Sequence, residues 1–134
     1  MTRPLVLCVD DDKTTLDVLI LQLKDLLGRQ FQYEIAESAE EAIELLVELQ
    51  PTATQLALVV TDYLMQGQNG AKLILQLQPQ FPSTPMILLS GLEKQFIPEL
   101  QGIDIAIPLY VIPKPWEKKE LQQALVLHFP LQNA

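Results

Sequence analysis

Leu5-Val6-Leu7-Cys8-Val9-Asp10-Asp11-Asp12 sets five apolar residues directly against three aspartates. A short, continuous apolar run bounded by polar or turn residues suits a strand buried on both faces of a parallel sheet. Residues 56–61 and residues 86–89 have the same character, the first leading into Asp62 and the second into Ser90. Phe31, Tyr33 and Ile35 alternate with polar residues and read as a further strand.

Working outward from these runs, the segments between them have helical period. Leu16, Leu19, Ile20, Leu23, Leu26 and Leu27 mark one apolar stripe, and Ala42, Leu45, Leu46 and Leu49 mark another, with Gly28 and Pro51 as stops. Ser38 and Glu41 have the spacing of a capping box, which puts a helix start just before the second stripe. Residues 70–78 read as a third helix ended by Pro79, residues 109–112 as a last strand, and residues 117–129 as a last helix. Within residues 91–108, Pro98, Gly102 and Pro108 allow a fourth helix only if it is short or irregular. The order is β then α, repeated. It implies an α/β fold, a parallel sheet with helices on both faces and right-handed crossovers. Ligands of such sheets bind beyond the carboxyl ends of the strands, where the strand order reverses.

Composition narrows the function classes. A chain of 134 residues with 49% apolar content can bury one sizeable core but falls short of two ordinary domains, so residues 1–134 are read as one domain. There is no internal repeat and no low-complexity linker. Seventeen acidic against 9 basic residues give a formal charge of -8, which repels nucleic-acid phosphates and anionic lipid. Neither nucleic acid nor membrane is therefore an expected direct partner. Cys8, the single cysteine, lies inside an apolar run and reads as a small buried hydrophobe. The five apolar residues after Met1-Thr2-Arg3-Pro4 are too few for a signal peptide or a membrane span, and the cytoplasm is the expected location.

The polar residues that end the strands fall on one rim: Asp10, Asp11 and Asp12 after the first, Asp62 after the third, Ser90 after the fourth and Lys114 after the fifth. Gathering carboxylates is costly, since two like charges about 4 Å apart repel by about 4 kcal/mol at an effective dielectric of about 20. A hard divalent cation offsets that repulsion, and Mg²⁺ in particular favours one or two carboxylates plus water and phosphate oxygens. Lys114 adds a point charge suited to a phosphoryl oxygen, and the Ser90 hydroxyl can donate to another. The set reads as a phosphoryl site built around a carboxylate nucleophile. Asp12 is assigned to capping the first helix. Capping accounts neither for Asp62 behind an apolar strand nor for Lys114 between two prolines.

These residues resemble the receiver domains of response regulators, the chemotaxis regulator among them. Four motifs carry the resemblance across essentially the whole chain: Val9-Asp10-Asp11, Asp62-Tyr63-Leu64-Met65-Gln66-Gly67-Gln68-Asn69-Gly70, Leu89-Ser90-Gly91 and Lys114-Pro115-Trp116. The resemblance implies a flavodoxin-like five-stranded parallel sheet in the order 2-1-3-4-5. It implies that Asp62 is the phosphoacceptor, Asp11 a direct Mg²⁺ ligand, Asp10 a helper often acting through water, and the Leu64 carbonyl a further ligand. Ser90 and Lys114 would contact the phosphoryl group, Gly91 would leave room for it, and the Lys114–Pro115 peptide would be cis. The implied donor is a histidine kinase or histidine phosphotransfer protein, and the implied output a downstream protein or a fused domain. Such a chain promotes its own phosphorylation and is not a turnover enzyme.

Three positions depart from the family pattern. Gln66 stands where proline usually follows methionine, Val111 occupies the place of the aromatic switch residue with Tyr110 one step before it, and prolines break the segment after Ser90. Whether Tyr110 or Val111 takes the switch role is open at this point. Leu64 and Leu92, two residues after Asp62 and Ser90, cannot hydrogen-bond a hydrolytic water, which predicts a long-lived phosphorylated state. A haloacid dehalogenase-like phosphohydrolase would need a second aspartate where Leu64 stands. A pseudo-receiver that only docks partners would not need the Asp62, Asp11, Ser90 and Lys114 set. No Walker A or G-x-G-x-x-G loop follows a strand. His128, the only histidine, reads as a residue of the last helix placed at its C-terminal end by the dipole.

Overall fold

A computed structural model describes residues 2–102 and 108–132. Five strands, β1 (Leu5–Val9), β2 (Gln32–Ala36), β3 (Leu56–Asp62), β4 (Met86–Ser90) and β5 (Leu109–Pro113), alternate with helices α1 (Lys13–Leu27), α2 (Ala39–Leu49), α3 (Gly70–Leu77) and α4 (Lys118–Leu125). The strands pair in parallel in the order β2-β1-β3-β4-β5. This is the flavodoxin-like order, with its reversal between β1 and β3.

Strand period 2 sorts the side chains into two cores. Leu5, Leu7 and Val9 of β1 join Val59, Met86 and Leu88 under α2 and α3, whereas Val6 and Cys8 join Leu58, Val60, Ile87 and Leu89 under α1 and α4. All five residues of β1 are buried, which is why this strand carries no polar alternation. Cys8 sits wholly inside the second core, and burial pushes its thiol well above the usual range. It is a packing residue.

The helix boundaries follow local chemistry. Asp12 precedes α1, and its side chain accepts from the N–H groups of Thr14 and Thr15 at 3.0 and 3.4 Å. Gly28 ends α1 at φ 83, a conformation that glycine adopts without strain. At the start of α2 the Glu41 N–H donates to Ser38 Oγ at 3.0 Å. The third helix ends at Leu77, with Gln78 as its cap.

Two expectations need correction. The last helix is shorter than residues 117–129: Glu117 is its cap, bonded reciprocally with Glu120, and the helix ends at Leu125. His128 therefore stands in the turn beyond it, where its N–H donates to the Leu125 carbonyl at 2.9 Å while its ring Nε2 meets the Tyr110 hydroxyl at 2.6 Å, so the imidazole pairs with a side chain. Strands β3, β4 and β5 also run one residue further than expected and take in Asp62, Ser90 and Pro113. The proline-broken segment forms two 3-10 turns, Lys94–Phe96 and Pro98–Leu100, in place of an α-helix. Pro98 removes a donor that an α-helix needs, and Gly102 at φ 69 turns the chain. Residues 103–107 of that expectation lie outside the described residues. No helix of the described residues is long and apolar enough to cross a membrane.

Position on α1 should decide the cost of truncation. Leu23 is fully buried under the sheet and Leu21 is largely exposed. Leu23→Ala is expected to lower the unfolding free energy by about 2 to 5 kcal/mol. Leu21→Ala should change it by no more than about 0.5 kcal/mol, read by urea denaturation of both variants.

Candidate functional site

The sheet register carries the polar residues to one rim. Val9 of β1 pairs with Thr61 of β3, so Asp10 and Asp62 leave adjacent strands side by side. Ser90 of β4 lies opposite Pro113 of β5, and the Lys114 N–H donates to the Ser90 carbonyl at 2.9 Å. Asp10, Asp11 and Asp62 each offer a carboxylate oxygen, all within 4.8 Å of one another. Lys114 Nζ donates to Asp62 Oδ1 at 2.9 Å, and the Lys114–Pro115 peptide is cis.

Asp10 is 1% exposed and Asp62 6%, whereas Asp11 is exposed. Asp10 Oδ1 accepts from the Asp12 N–H at 2.9 Å, but its Oδ2 is buried with no hydrogen-bond partner. A buried, unpaired carboxylate oxygen beside two further carboxylates fits a hard cation, which would supply the missing partner. Burial pushes the Asp10 carboxyl up to about 6, with the charges of Asp62 and Asp11 adding to it and the Asp12 N–H and Lys114 opposing it. Burial also raises Asp62, and the bond from Lys114 reduces that effect without cancelling it. For Lys114 burial acts downward, yet the Asp62 bond and the surrounding carboxylates outweigh it and hold the ammonium above its ordinary range. The site therefore has more negative charge than one lysine neutralises.

The loop after β3 closes over the rim. The Gln66 N–H donates to Asp11 Oδ2 at 3.2 Å, and the Gly70 N–H donates to the Tyr63 carbonyl at 2.9 Å. A Cβ on Gly70 would stand 2.0 Å from the Asp62 carbonyl oxygen, so this close approach of backbone to backbone requires glycine. Ser90 Oγ accepts from the Leu92 N–H at 2.8 Å, which leaves its own hydrogen free to donate elsewhere. A Cβ on Gly91 would meet nothing within 4 Å, so there is open space beside Ser90. Leu64 lies in the loop with its side chain 73% exposed, and none of the described interactions ties it to the aspartates.

Strand period also separates Tyr110 from Val111. Val111 packs on the α2 and α3 side, where Ser90 projects, and lines a recess with Ser90, Gly91 and Leu92. Tyr110 packs on the opposite side against the α1 and α4 core. Val111 thus holds the place next to Ser90, and Tyr110 would have to cross the sheet to reach it. The sequence reading missed one part of the neighbourhood. Tyr63 and Asn69, at the two ends of the loop, donate to Glu99 from 30 or more positions away in the chain. No spacing rule links residues so far apart; only the Asn-Gly pair before α3 hinted at the capping part of Asn69.

The strand order and the acidic rim define a flavodoxin-like signalling module of the receiver type. The model of the response regulator receiver domain matches residues 6–126, and the chain belongs to that family. The signal receiver domain of an HD domain-containing protein from Pseudomonas fluorescens Pf-5 is 26% identical, with a TM-score of 0.74 over 96% of this chain and 88% of that one. A response regulator receiver protein from Pseudomonas putida is also 26% identical, with a TM-score of 0.70 over 95% and 98% of the two chains. A receiver protein from Sinorhizobium medicae WSM419, 22% identical with a TM-score of 0.72 over 92% of each chain, shares the fold. No curated protein sequence matches the chain.

The charge excess has a measurable sign. The folded protein holds the Asp10 proton more tightly than the unfolded chain, so this group lowers stability as pH rises from 3.8 to about 6. Without added metal, Asp10→Asn should raise the unfolding free energy at pH 7 by about 1 to 3 kcal/mol. The gain should vanish at a pH below the unfolded value, and denaturant melts at both pH values check it.

Proposed function

We propose that the chain is a phosphoacceptor of a two-component relay, taking a phosphoryl group on Asp62 from a histidine kinase or a histidine phosphotransfer protein. The observation that carries this reading is Asp62 itself, a buried carboxylate at a strand end held by Lys114 and flanked by Asp10 and Asp11. Asp10, Asp11, Asp62 and the Leu64 carbonyl are the groups that would hold Mg²⁺. When bound, that ion supplies positive charge to the phosphoryl oxygens and offsets the repulsion among the carboxylates.

The chain's own groups then divide the work. An Asp62 carboxylate oxygen forms a bond to phosphorus as the phosphorus–nitrogen bond of the donor histidine breaks, its electron pair staying on the imidazole. Lys114, already within reach of Asp62, neutralises charge on the incoming group. Ser90 offers its free hydroxyl hydrogen to another phosphoryl oxygen. The α1 surface beside the site suits a docked donor helix. Val18 and Leu21 are exposed there, and Trp116 is fixed against α1 by its Nε1–H donating to Gln22 Oε1 at 2.7 Å. Phosphorylation replaces a carboxylate by a group with more charge and more acceptors, which biases the surface beyond Ser90.

The reading is tested with a small acyl phosphate donor and Mg²⁺. The wild type should incorporate acid-stable, base-labile phosphate and Asp62→Asn none; equal labelling of the two would remove Asp62 from the role. A second measurement concerns lifetime. Leu64 and Leu92 stand 73% and 45% exposed, and neither can orient a water for hydrolysis. Leu64→Asn or Leu92→Glu is expected to shorten the phosphoprotein half-life by about tenfold, equivalent to about 1.4 kcal/mol at the transition state. Decay of label after donor removal gives the rate.

A further inference from the structure

Residues 91–102 cross the surface beyond β4 on two short turns. Ile97 and Leu100 are buried in the core under α2 and α3, and Glu99 stands between them. Its Oε1 accepts from the Tyr63 hydroxyl at 2.7 Å and its Oε2 from Asn69 Nδ2 at 3.0 Å. Tyr63 and Asn69 are the first and last residues of the loop between β3 and α3, and the Gly70 N–H to Tyr63 carbonyl bond closes the neck of that loop. Asn69 also caps α3, its Oδ1 accepting from the Lys72 N–H at 2.9 Å. One carboxylate therefore grips both sides of the neck. The loop follows directly on Asp62 and carries the Gln66 N–H that holds Asp11.

Beyond the apolar anchors Ile97 and Leu100, the rest of the segment offers no competing polar tether. Among the described residues, its other hydrogen bonds stay within residues 91–102, apart from the Leu92 N–H on the neighbouring Ser90. Val111 on β5 has no polar atom in its side chain to bridge the gap. Bonds from Tyr63 and Asn69 hold the Glu99 carboxyl below its ordinary range, in keeping with an ionised acceptor that draws in both donors.

We propose that Glu99 is a positioning residue that ties the loop following Asp62 to residues 94–101, so that a change at Asp62 reaches this surface through Tyr63 and Asn69. The proposal rests on the reading of Asp62 as phosphoacceptor and adds the route by which its state is passed on. A shift of the loop that moves Tyr63 and Asn69 must either carry Glu99 with it or break two hydrogen bonds.

A donor–acceptor exchange tests it. Asn69→Asp keeps the shape and a capping oxygen for α3 but sets a second carboxylate against Glu99, whereas Glu99→Gln with Asn69→Asp restores a donor facing an acceptor and keeps the net charge. Amide hydrogen exchange is measured on the wild type, both single variants and the double variant, with phosphate incorporation from acetyl phosphate and Mg²⁺ followed in parallel. Without donor, Asn69→Asp should exchange about tenfold faster in both residues 63–69 and residues 94–101, and the double variant should return to the wild-type rate. With donor, the wild type and the double variant should change protection at residues 94–101, and Asn69→Asp should lose that change while still taking up phosphate. An Asn69→Asp variant that behaves as wild type, or a double variant no better than Asn69→Asp alone, overturns the tie. Loss of phosphate uptake by the wild type would overturn the phosphoacceptor reading and the relay built on it, while the exchange rates without donor still decide whether Glu99 clamps the loop.

Discussion

Two carboxylates forced together at the ends of neighbouring strands are the constraint around which this structure is organised. Asp10 and Asp62 leave β1 and β3 in register, and both are buried because helices cover both faces of the sheet. Neither can turn to water to relieve the repulsion. Lys114 offsets part of it at Asp62, yet both acids remain above their ordinary range, and one oxygen of Asp10 is left without a partner. The rim is thus poised for positive charge. Stability is given up there, at the rim where the candidate site residues gather.

Such a site needs a stiff frame, and the two cores provide it. Interiors at this packing density transmit displacement instead of absorbing it. The leucines of α1 fix one side of β1 and β3, while the small residues Ala39, Ala42 and Ala71 let α2 and α3 approach closely on the other. Beyond β4 the frame gives way to short 3-10 turns, held to the core by Ile97 and Leu100 and to the site loop by Glu99. Fewer backbone bonds anchor this region than anchor a helix.

The aromatic residue of β5 shows how a single-residue offset changes the connections. Tyr110 faces α4 and is tied to His128, while Val111 faces Ser90. A strand has no intermediate option, because successive side chains point to opposite faces. The small apolar Val111 leaves the recess beside Ser90 without an aromatic gate, and the polar connection across this side of the molecule passes through Tyr63, adjacent to Asp62.

Much of this was legible in the sequence, for reasons that are local. Short continuous apolar runs suit strands covered on both faces, the leucine stripe of residues 16–27 suits a helix facing a core, and Asp12 before Thr14 and Thr15 suits a helix cap. The rim followed too, because in a parallel sheet every strand ends on the same side, so Asp10, Asp62, Ser90 and Lys114 had to share it. What required the tertiary structure were quantities set by neighbours remote in the chain. Helix α4 ends at Leu125 and the turn beyond it sets His128 against Tyr110, although the apolar period continued further. The clamp of Glu99 on Tyr63 and Asn69 joins residues 36 and 30 positions apart, and the unpartnered oxygen of Asp10 exists only because β3 lies beside β1. Periodicity reports which face of an element is buried; which side chains then meet, and which polar atoms are left unmatched, depends on packing that no local pattern encodes.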